Sequence, residues 1–147
     1  MPDPPPWRYR CHFAEDGTDT IRFWYERQSQ ECRRKFLVRA QALRGLPPRE
    51  WELPLFRWLR GDGQGLGEVR FKADRVQQRI LGFRGPESDL FTFLYPAKEQ
   101  SDRFIPRNTI EIAQRLRAVV LARKDRSNEC WLFPDPEPDF PARIGRR

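Results

Sequence analysis

Histidine and cysteine are scarce in this 147-residue sequence, which has one histidine, His12, and three cysteines, Cys11, Cys32 and Cys130. Zinc sites need several such ligands close together, so the sequence predicts no metal site. No histidine lies in the basic strand region described below, and a Ser-His-Asp or Cys-His nucleophile is therefore not indicated. His12 alternates with apolar neighbours and is expected on a strand surface rather than as a general base. We expect neither a metal nor another cofactor.

Long apolar runs are also missing, since no stretch approaches the roughly 20 apolar residues of a membrane-spanning helix. Residues 1–6 have neither the basic nor the apolar region of a secretory signal. An odd number of widely separated cysteines is typical of proteins in a reducing compartment. Together these features predict a cytoplasmic protein that has no membrane partner.

Basic residues outnumber acidic ones, with 28 Lys and Arg against 21 Asp and Glu, and the net charge is +7. A chain of this length suits one domain. The positive charge favours a polyanionic partner, and we place nucleic acid ahead of an acidic protein or a membrane surface. The alternative is a basic surface that serves only solubility.

The spacing of apolar residues predicts an α+β fold. Apolar and polar residues alternate over 7–13, which is typical of a strand, whereas 21–43 follows the helical repeat and is predicted to bend near Ser29. Three further alternating segments between 65 and 98 have short connections and are predicted to form an antiparallel meander. A helix is expected over 108–122. The result is an antiparallel-rich sheet packed against N-terminal helices, with a C-terminal helix.

Composition divides the chain into three parts. Residues 1–6 are rich in proline and are expected to form a flexible lead, and residues 7–126 the folded domain. From residue 127 the helical pattern is lost, and four prolines among alternating acids predict a mobile tail over 127–147. The alternative is that Trp131, Leu132 and Phe133 pack back onto the domain. The side chains expected in the core of the domain include Leu81, Phe83, Phe91 and Phe93.

Fixed positive charges recur along and after the predicted meander. They are Arg70, Lys72, Arg79, Arg84, Lys98 and Arg103. Such groups bind phosphates and stabilise the extra negative charge of a phosphoryl-transfer transition state. A structural alternative stays open, because Arg70 and Arg79 can pair with Glu68 or shield the sheet edge. The cations of the first helical region, among them Arg39, are interpreted as a solvated helix face, and the alternative is a contact with the ribosome or a nucleic acid.

The order of short motifs in this region resembles a known family. Leu-Gly-Glu-Val-Arg stands at 66–70, Gln-Arg-Ile-Leu-Gly-Phe at 78–83, Ala-Lys-Glu at 97–99 and Phe-Ile-Pro at 104–106, before a helix. Over about 7–120 the sequence is similar to the RelE/HigB-like toxins of bacterial type II toxin–antitoxin systems, particularly their phage-derived branch. The resemblance implies a small RelE-like domain and a metal-independent, ribosome-dependent mRNA endoribonuclease that blocks translation. The implied partners are mRNA, the ribosome and a helix-turn-helix antitoxin.

The resemblance also assigns roles to the cations. In the family the ribose 2′-hydroxyl attacks the adjacent phosphate, which basic side chains stabilise. Carried over by position, the catalytic residues are Arg79, Arg70 and Lys98, and the RNA-binding residues are Lys72, Arg84 and Arg103. Two positions depart from the family pattern, because Glu99 replaces a second basic residue and Phe104 replaces a tyrosine that helps proton transfer. Glu99 is then the candidate general base.

A non-catalytic role is the second hypothesis. A protein of the same fold could bind RNA or a protein partner, including DNA gyrase, as ParE-like relatives do. Catalysis requires Arg79 to be partly buried and directed into a concave site, whereas a binding module tolerates a flat and exposed arrangement. The burial of Arg79 therefore distinguishes the two hypotheses.

Overall fold

A computed structural model describes residues 8–135, which form three α-helices and seven β-strands. The helices are α1 (Thr20–Glu26), α2 (Gln30–Arg44) and α3 (Thr109–Ala122). The strands are β1 (Arg8–His12), β2 (Phe56–Trp58), β3 (Gly67–Ala73), β4 (Val76–Arg84), β5 (Leu90–Gln100), β6 (Arg103–Ile105) and β7 (Ser127–Glu129). None of the helices in this range is long and apolar enough to cross a membrane. The predicted lead at 1–6 and the last part of the predicted tail, 136–147, lie outside the described residues.

All seven of these strands belong to one sheet. Its order is β2-β3-β4-β5-β1-β7, and β6 pairs with the far end of β5. Neighbouring strands are antiparallel except for β1 and β5, which are parallel. The predicted α+β class and the antiparallel-rich sheet are confirmed.

Polar caps set where the first two helices begin. Asp19 accepts hydrogen bonds from the backbone N–H groups of Ile21 at 3.1 Å and Arg22 at 3.0 Å. Ser29 accepts one from Cys32 at 3.0 Å. Each cap satisfies backbone donors that the first turn of a helix leaves unpaired. The new start after Ser29 separates α2 from α1, as the sequence predicted.

The larger of two cores lies between α1, α2 and one face of the sheet. Tyr9 is at its centre, where its ring packs on Phe93 at a centroid distance of 4.7 Å and its hydroxyl donates to the Ala40 carbonyl at 2.7 Å. The four side chains expected in the core are at most 2% exposed, namely Leu81, Phe83, Phe91 and Phe93. That prediction is confirmed.

The smaller core lies on the opposite face of the sheet, against α3. Its buried side chains include Leu81, Phe83, Leu94, Ala113 and Val120. On β3, Val69 and Phe71 belong to the larger core. Because successive side chains of a strand alternate, Glu68, Arg70 and Lys72 lie on the same face as α3. This charged stretch forms the site described below.

The domain extends beyond the boundary that the sequence predicted at residue 126. Strand β7 pairs antiparallel with β1. Phe133 is fully buried, and its ring centroid lies 5.1 Å from that of Tyr9. The first residues of the predicted tail are therefore part of the folded domain. A three-residue strand is too short to give a recognisable alternation, which is why the sequence pattern missed it.

The cysteines also differ from expectation, because the sequence favoured reduced thiols. Cys11 in β1 and Cys130 after β7 form a disulfide, with Cα atoms 5.1 Å apart. The strand pairing explains the bond, since Cys11 lies opposite Asn128, two residues before Cys130. Cys32 is free and buried.

His12 is buried rather than exposed on the strand surface, with 3% of its area accessible. Its Nδ1 atom lies 2.7 Å from the Thr20 hydroxyl oxygen. Burial, together with the nearby charge of Arg126, lowers the pKa of His12 to about 4. The expectation of a surface position was wrong because β1 is covered at this end.

This low pKa predicts that mild acid destabilises the fold. In the unfolded chain His12 takes up a proton near pH 6.5, whereas the folded state resists protonation until about pH 4. The contribution of neutral His12 to the free energy of unfolding is therefore complete above pH 6.5. This contribution, on the order of 3 kcal/mol, is lost as the pH falls from 6.5 to about 4. Urea unfolding across the window, with His12→Gln as the reference, measures the effect. An equally steep dependence in the variant would show that another group is responsible.

Candidate nucleic-acid interface

A tight hairpin places two arginines of the candidate site opposite each other. β3 and β4 are joined by Asp74 and Arg75, whose φ angles of 54° and 64° are those of a type I′ turn. The turn is tied to the start of α2, because the Ser29 hydroxyl donates to Asp74 Oδ2 at 2.5 Å. In the resulting register Arg70 pairs with Arg79.

Two neighbouring guanidinium groups repel each other unless carboxylates lie between them. Glu68 Oε2 makes a close ion pair with Arg70 Nη1 and lies 3.9 Å from Arg79 Nε. Glu99 Oε1 accepts a hydrogen bond from the same Nε at 2.8 Å. The four side chains thus form one charge network across β3, β4 and β5. The pairing of Arg70 with Glu68 that the structural alternative expected is present.

Glu68 is the centre of this network. Its side chain has no exposed area, and a third arginine, Arg57 of β2, donates from Nε to Glu68 Oε2 at 3.2 Å. A buried carboxylate is costly without such partners. Its second oxygen, Oε1, is buried and has no hydrogen-bond partner among residues 8–135. One carboxylate therefore lies within 4 Å of guanidinium groups from three adjacent strands.

The Arg79 guanidinium is held in place through all three of its nitrogen atoms. Only 3% of the residue is exposed. Nη1 donates to the Gln78 carbonyl at 2.9 Å and Nη2 to Gln77 Oε1 at 3.4 Å, in addition to the Nε bond to Glu99. Each Nη carries two N–H groups, so further donors remain. A fixed planar donor of this kind suits the recognition of a phosphate.

A cavity of about 400 Å³ opens beside this guanidinium and is called the basic pocket. It is lined by Arg39, Leu53, Pro54, Arg70, Phe71, Lys72, Gln77 and Arg79. Four of these eight residues are cationic and none of the eight is acidic. A concave surface of one charge concentrates ions of the opposite charge. The basic pocket therefore suits an anionic ligand.

Two of the three predicted catalytic residues, Arg70 and Arg79, meet at the basic pocket. The third, Lys98, does not. In the β4–β5 register Lys98 lies opposite Gln78, whereas Arg79 lies opposite Ala97. Lys98 and Arg79 are therefore offset by one residue along the paired strands. Lys98 is consequently on the other face of the sheet. The structure divides the predicted catalytic trio.

The predicted RNA-binding residues are divided as well. Lys72 lines the basic pocket. Arg84 lies at the opposite end of β4, where its Nε donates to the Ser88 carbonyl at 2.9 Å. Arg103 in β6 lines a separate cavity of about 480 Å³ together with Arg107. Of the three, only Lys72 can share a phosphate with Arg70 and Arg79.

Arg39 of α2 also lines the pocket. The sequence favoured a solvated helix face for this residue, with a nucleic-acid contact as the alternative. Its Nη1 donates a close hydrogen bond to the Arg70 carbonyl. Burial lowers the pKa of this guanidinium. The two residues are 31 positions apart, and only the packing of α2 on β3 brings them together.

The acidic residues of the site do not form a metal centre. No three His, Cys, Asp or Glu side chains gather as potential ligands anywhere in the described range. Glu68 and Glu99 are instead engaged by guanidinium groups. What this site offers is fixed cations and aligned hydrogen-bond donors.

No known family profile, no curated protein and no solved structure matches this sequence at a significant level.

Proposed function

We propose that the protein is a toxin of the RelE/HigB-like type that cleaves mRNA on the ribosome without a metal ion. The burial of Arg79 beside a concave basic pocket carries this proposal. Catalysis needs that arrangement, whereas a flat binding surface does not. The helices and antiparallel-rich sheet that the resemblance implies are compatible with it. The proposed partners are mRNA, the ribosome and a helix-turn-helix antitoxin, in the cytoplasm.

In the proposed reaction the RNA supplies its own nucleophile. The ribose 2′-hydroxyl attacks the adjacent phosphorus, a P–O2′ bond forms, and the P–O5′ bond breaks. The products are a 2′,3′-cyclic phosphate and a 5′-hydroxyl. Arg70 and Arg79 stabilise the additional negative charge on the phosphoryl oxygens. Glu99 takes the proton from the 2′-hydroxyl, and water protonates the departing oxygen.

Glu99 is assigned the proton-accepting role because of its exposure. Both carboxylates lie near Arg79 Nε, but 18% of the Glu99 side chain is accessible and none of the Glu68 side chain is. A general base must come within hydrogen-bonding reach of the proton that it removes. Of these two carboxylates, Glu99 is the more accessible to a substrate hydroxyl.

Binding through the basic pocket predicts a strong dependence on salt. Each phosphate contact to single-stranded RNA contributes about 0.7 to the slope of log K against log salt. Lys72→Glu should therefore weaken RNA binding on all sequences alike and lower that slope by about 0.7. Arg103→Glu makes the same charge change outside the pocket and is the matched control. Salt-independent binding, or equal losses in both variants, would show that RNA is not held in this pocket.

A non-catalytic binding protein is the second candidate, and two observations favour it. Arg70 and Arg79 are already engaged by Glu68 and Glu99, and Lys98 lies on the other face of the sheet. Expression of the wild-type protein followed by primer extension on cellular mRNA separates the candidates. RNA binding without new mRNA ends would support a binding module. Neither binding nor cleavage would favour a protein partner such as gyrase.

A further inference from the structure

A second cavity, of about 460 Å³, adjoins the basic pocket and is called the side groove. It is lined by Leu53, Arg57, Trp58, Leu59, Arg60, Phe104 and Ile110. Leu53, which is 59% exposed, lines both cavities, which therefore adjoin at this side chain. A ligand in one cavity can therefore continue into the other.

The lining of the side groove combines apolar walls with two guanidinium groups. Phe104 provides an aromatic ring, and Leu59 and Ile110 provide aliphatic surface. Arg57 and Arg60 provide planar cations. Unpaired nucleobases stack on aromatic rings and on arginine planes, because their flat faces are apolar and their edges are polar.

Arg70 and Arg79 of the basic pocket lie on the face of the sheet that also carries the side groove, whereas Arg39 enters that pocket from the α2 side. Phe104 lies opposite Glu99 in the β5–β6 register, and Glu99 is bonded to Arg79. On the other side, Arg57 is paired with Glu68, which also binds Arg70. The two carboxylates thus connect residues of the side groove to residues of the basic pocket.

We propose that the side groove binds an unpaired nucleobase of an RNA strand whose phosphate lies in the basic pocket. The substrate is then single-stranded, because a base in a duplex stays stacked and cannot enter. This inference rests on the proposed RNA-binding function. The arginines of the groove place the negative backbone beside it, and Phe104 acts as a stacking surface rather than in proton transfer.

The test compares a short single-stranded RNA with an abasic RNA of the same length and charge. The full-length wild-type protein should bind the intact RNA more tightly. Phe104→Leu keeps apolar contact with α3 but removes the ring, and should weaken binding of the intact RNA about 5- to 140-fold. Binding of the abasic RNA should not change. Phe104→Tyr keeps a ring and should retain the wild-type preference.

Lys72→Ala is the matched control, because it removes a phosphate contact and should weaken both RNAs by the same factor. Equal wild-type affinity for intact and abasic RNA would overturn the base-binding proposal while leaving RNA binding in place. So would an equal loss for both RNAs in Phe104→Leu. If the wild-type protein binds neither RNA, the proposed function itself fails. Failure of the base-binding proposal and failure of the proposed function therefore give different results.

Discussion

Replacing Arg79 with alanine is expected to slow mRNA cleavage about 100- to 1000-fold, the usual cost of losing one preorganised donor to a transition-state oxyanion. The guanidinium is fixed by Glu99, Gln77 and the Gln78 carbonyl. It therefore needs no reorganisation when negative charge develops on the phosphate. Cells that express the variant should grow normally, and primer extension should show the loss of the mRNA ends that the wild-type protein produces.

Stability must be measured beside activity, because the substitution also removes a cation from two carboxylates. Uncompensated buried charge is costly, so Arg79→Ala alone is expected to be less stable than the wild type. Arg79→Lys keeps the charge and should recover stability but little cleavage, since an ammonium group cannot make paired hydrogen bonds. Combining Arg79→Ala with Glu99→Gln removes one uncompensated charge and should remain inactive.

The matched control is Arg84→Ala, which removes an arginine from the same strand outside the basic pocket. Circular dichroism and urea unfolding report the fold of each variant. Wild-type cleavage by a folded Arg79→Ala protein would exclude Arg79 from catalysis. A wild-type protein that produces neither new mRNA ends nor growth arrest would leave the binding-module alternative.

Helices and strands could be predicted from the sequence where they are long enough for their apolar pattern to repeat. The 15 residues of α2 give several periods of its apolar pattern, and the nine residues of β4 are long enough to indicate a strand. The caps at Asp19 and Ser29 also follow from residue type. β6 and β7 have three residues each and give no such pattern. β6 follows β5 across a two-residue turn at Ser101 and Asp102, whereas the pairing of β7 with β1 is set by tertiary packing.

The candidate site could be predicted only in part, because it depends on strand register. Arg70 and Arg79 are close because the hairpin turn at Asp74 and Arg75 pairs them. Whether Lys98 joins them depends on the pairing of β4 with β5, and a shift of one residue moves a side chain to the other face. The sequence does not encode that register locally. Arg39 enters the basic pocket from a helix, which no strand pattern could reveal.

The disulfide raises a related question about location, because the sequence predicted a cytoplasmic protein with reduced thiols. Disulfides are rare in reducing compartments. In such a compartment Cys11 and Cys130 would be thiols, and the segment after α3 would be held by the short β1–β7 pairing and by Phe133. In the proposed cytoplasmic location the fold must therefore be stable without this bond, so the contribution of the bond to the free energy of unfolding is the quantity to measure.

Reducing the disulfide is expected to lower the free energy of unfolding by about 4 to 5 kcal/mol, because Cys11 and Cys130 are 119 positions apart and the bond restricts a long loop in the unfolded chain. That is a large share of the roughly 5–15 kcal/mol that stabilises a typical domain. Urea unfolding with and without dithiothreitol measures the difference.

The double variant Cys11→Ala/Cys130→Ala should unfold at the same urea concentration in both conditions, close to the reduced wild type. Thiol titration of the unfolded protein should find one free thiol, Cys32, before reduction. Three free thiols before reduction, or no effect of dithiothreitol on the wild type, would show that the bond does not form in solution.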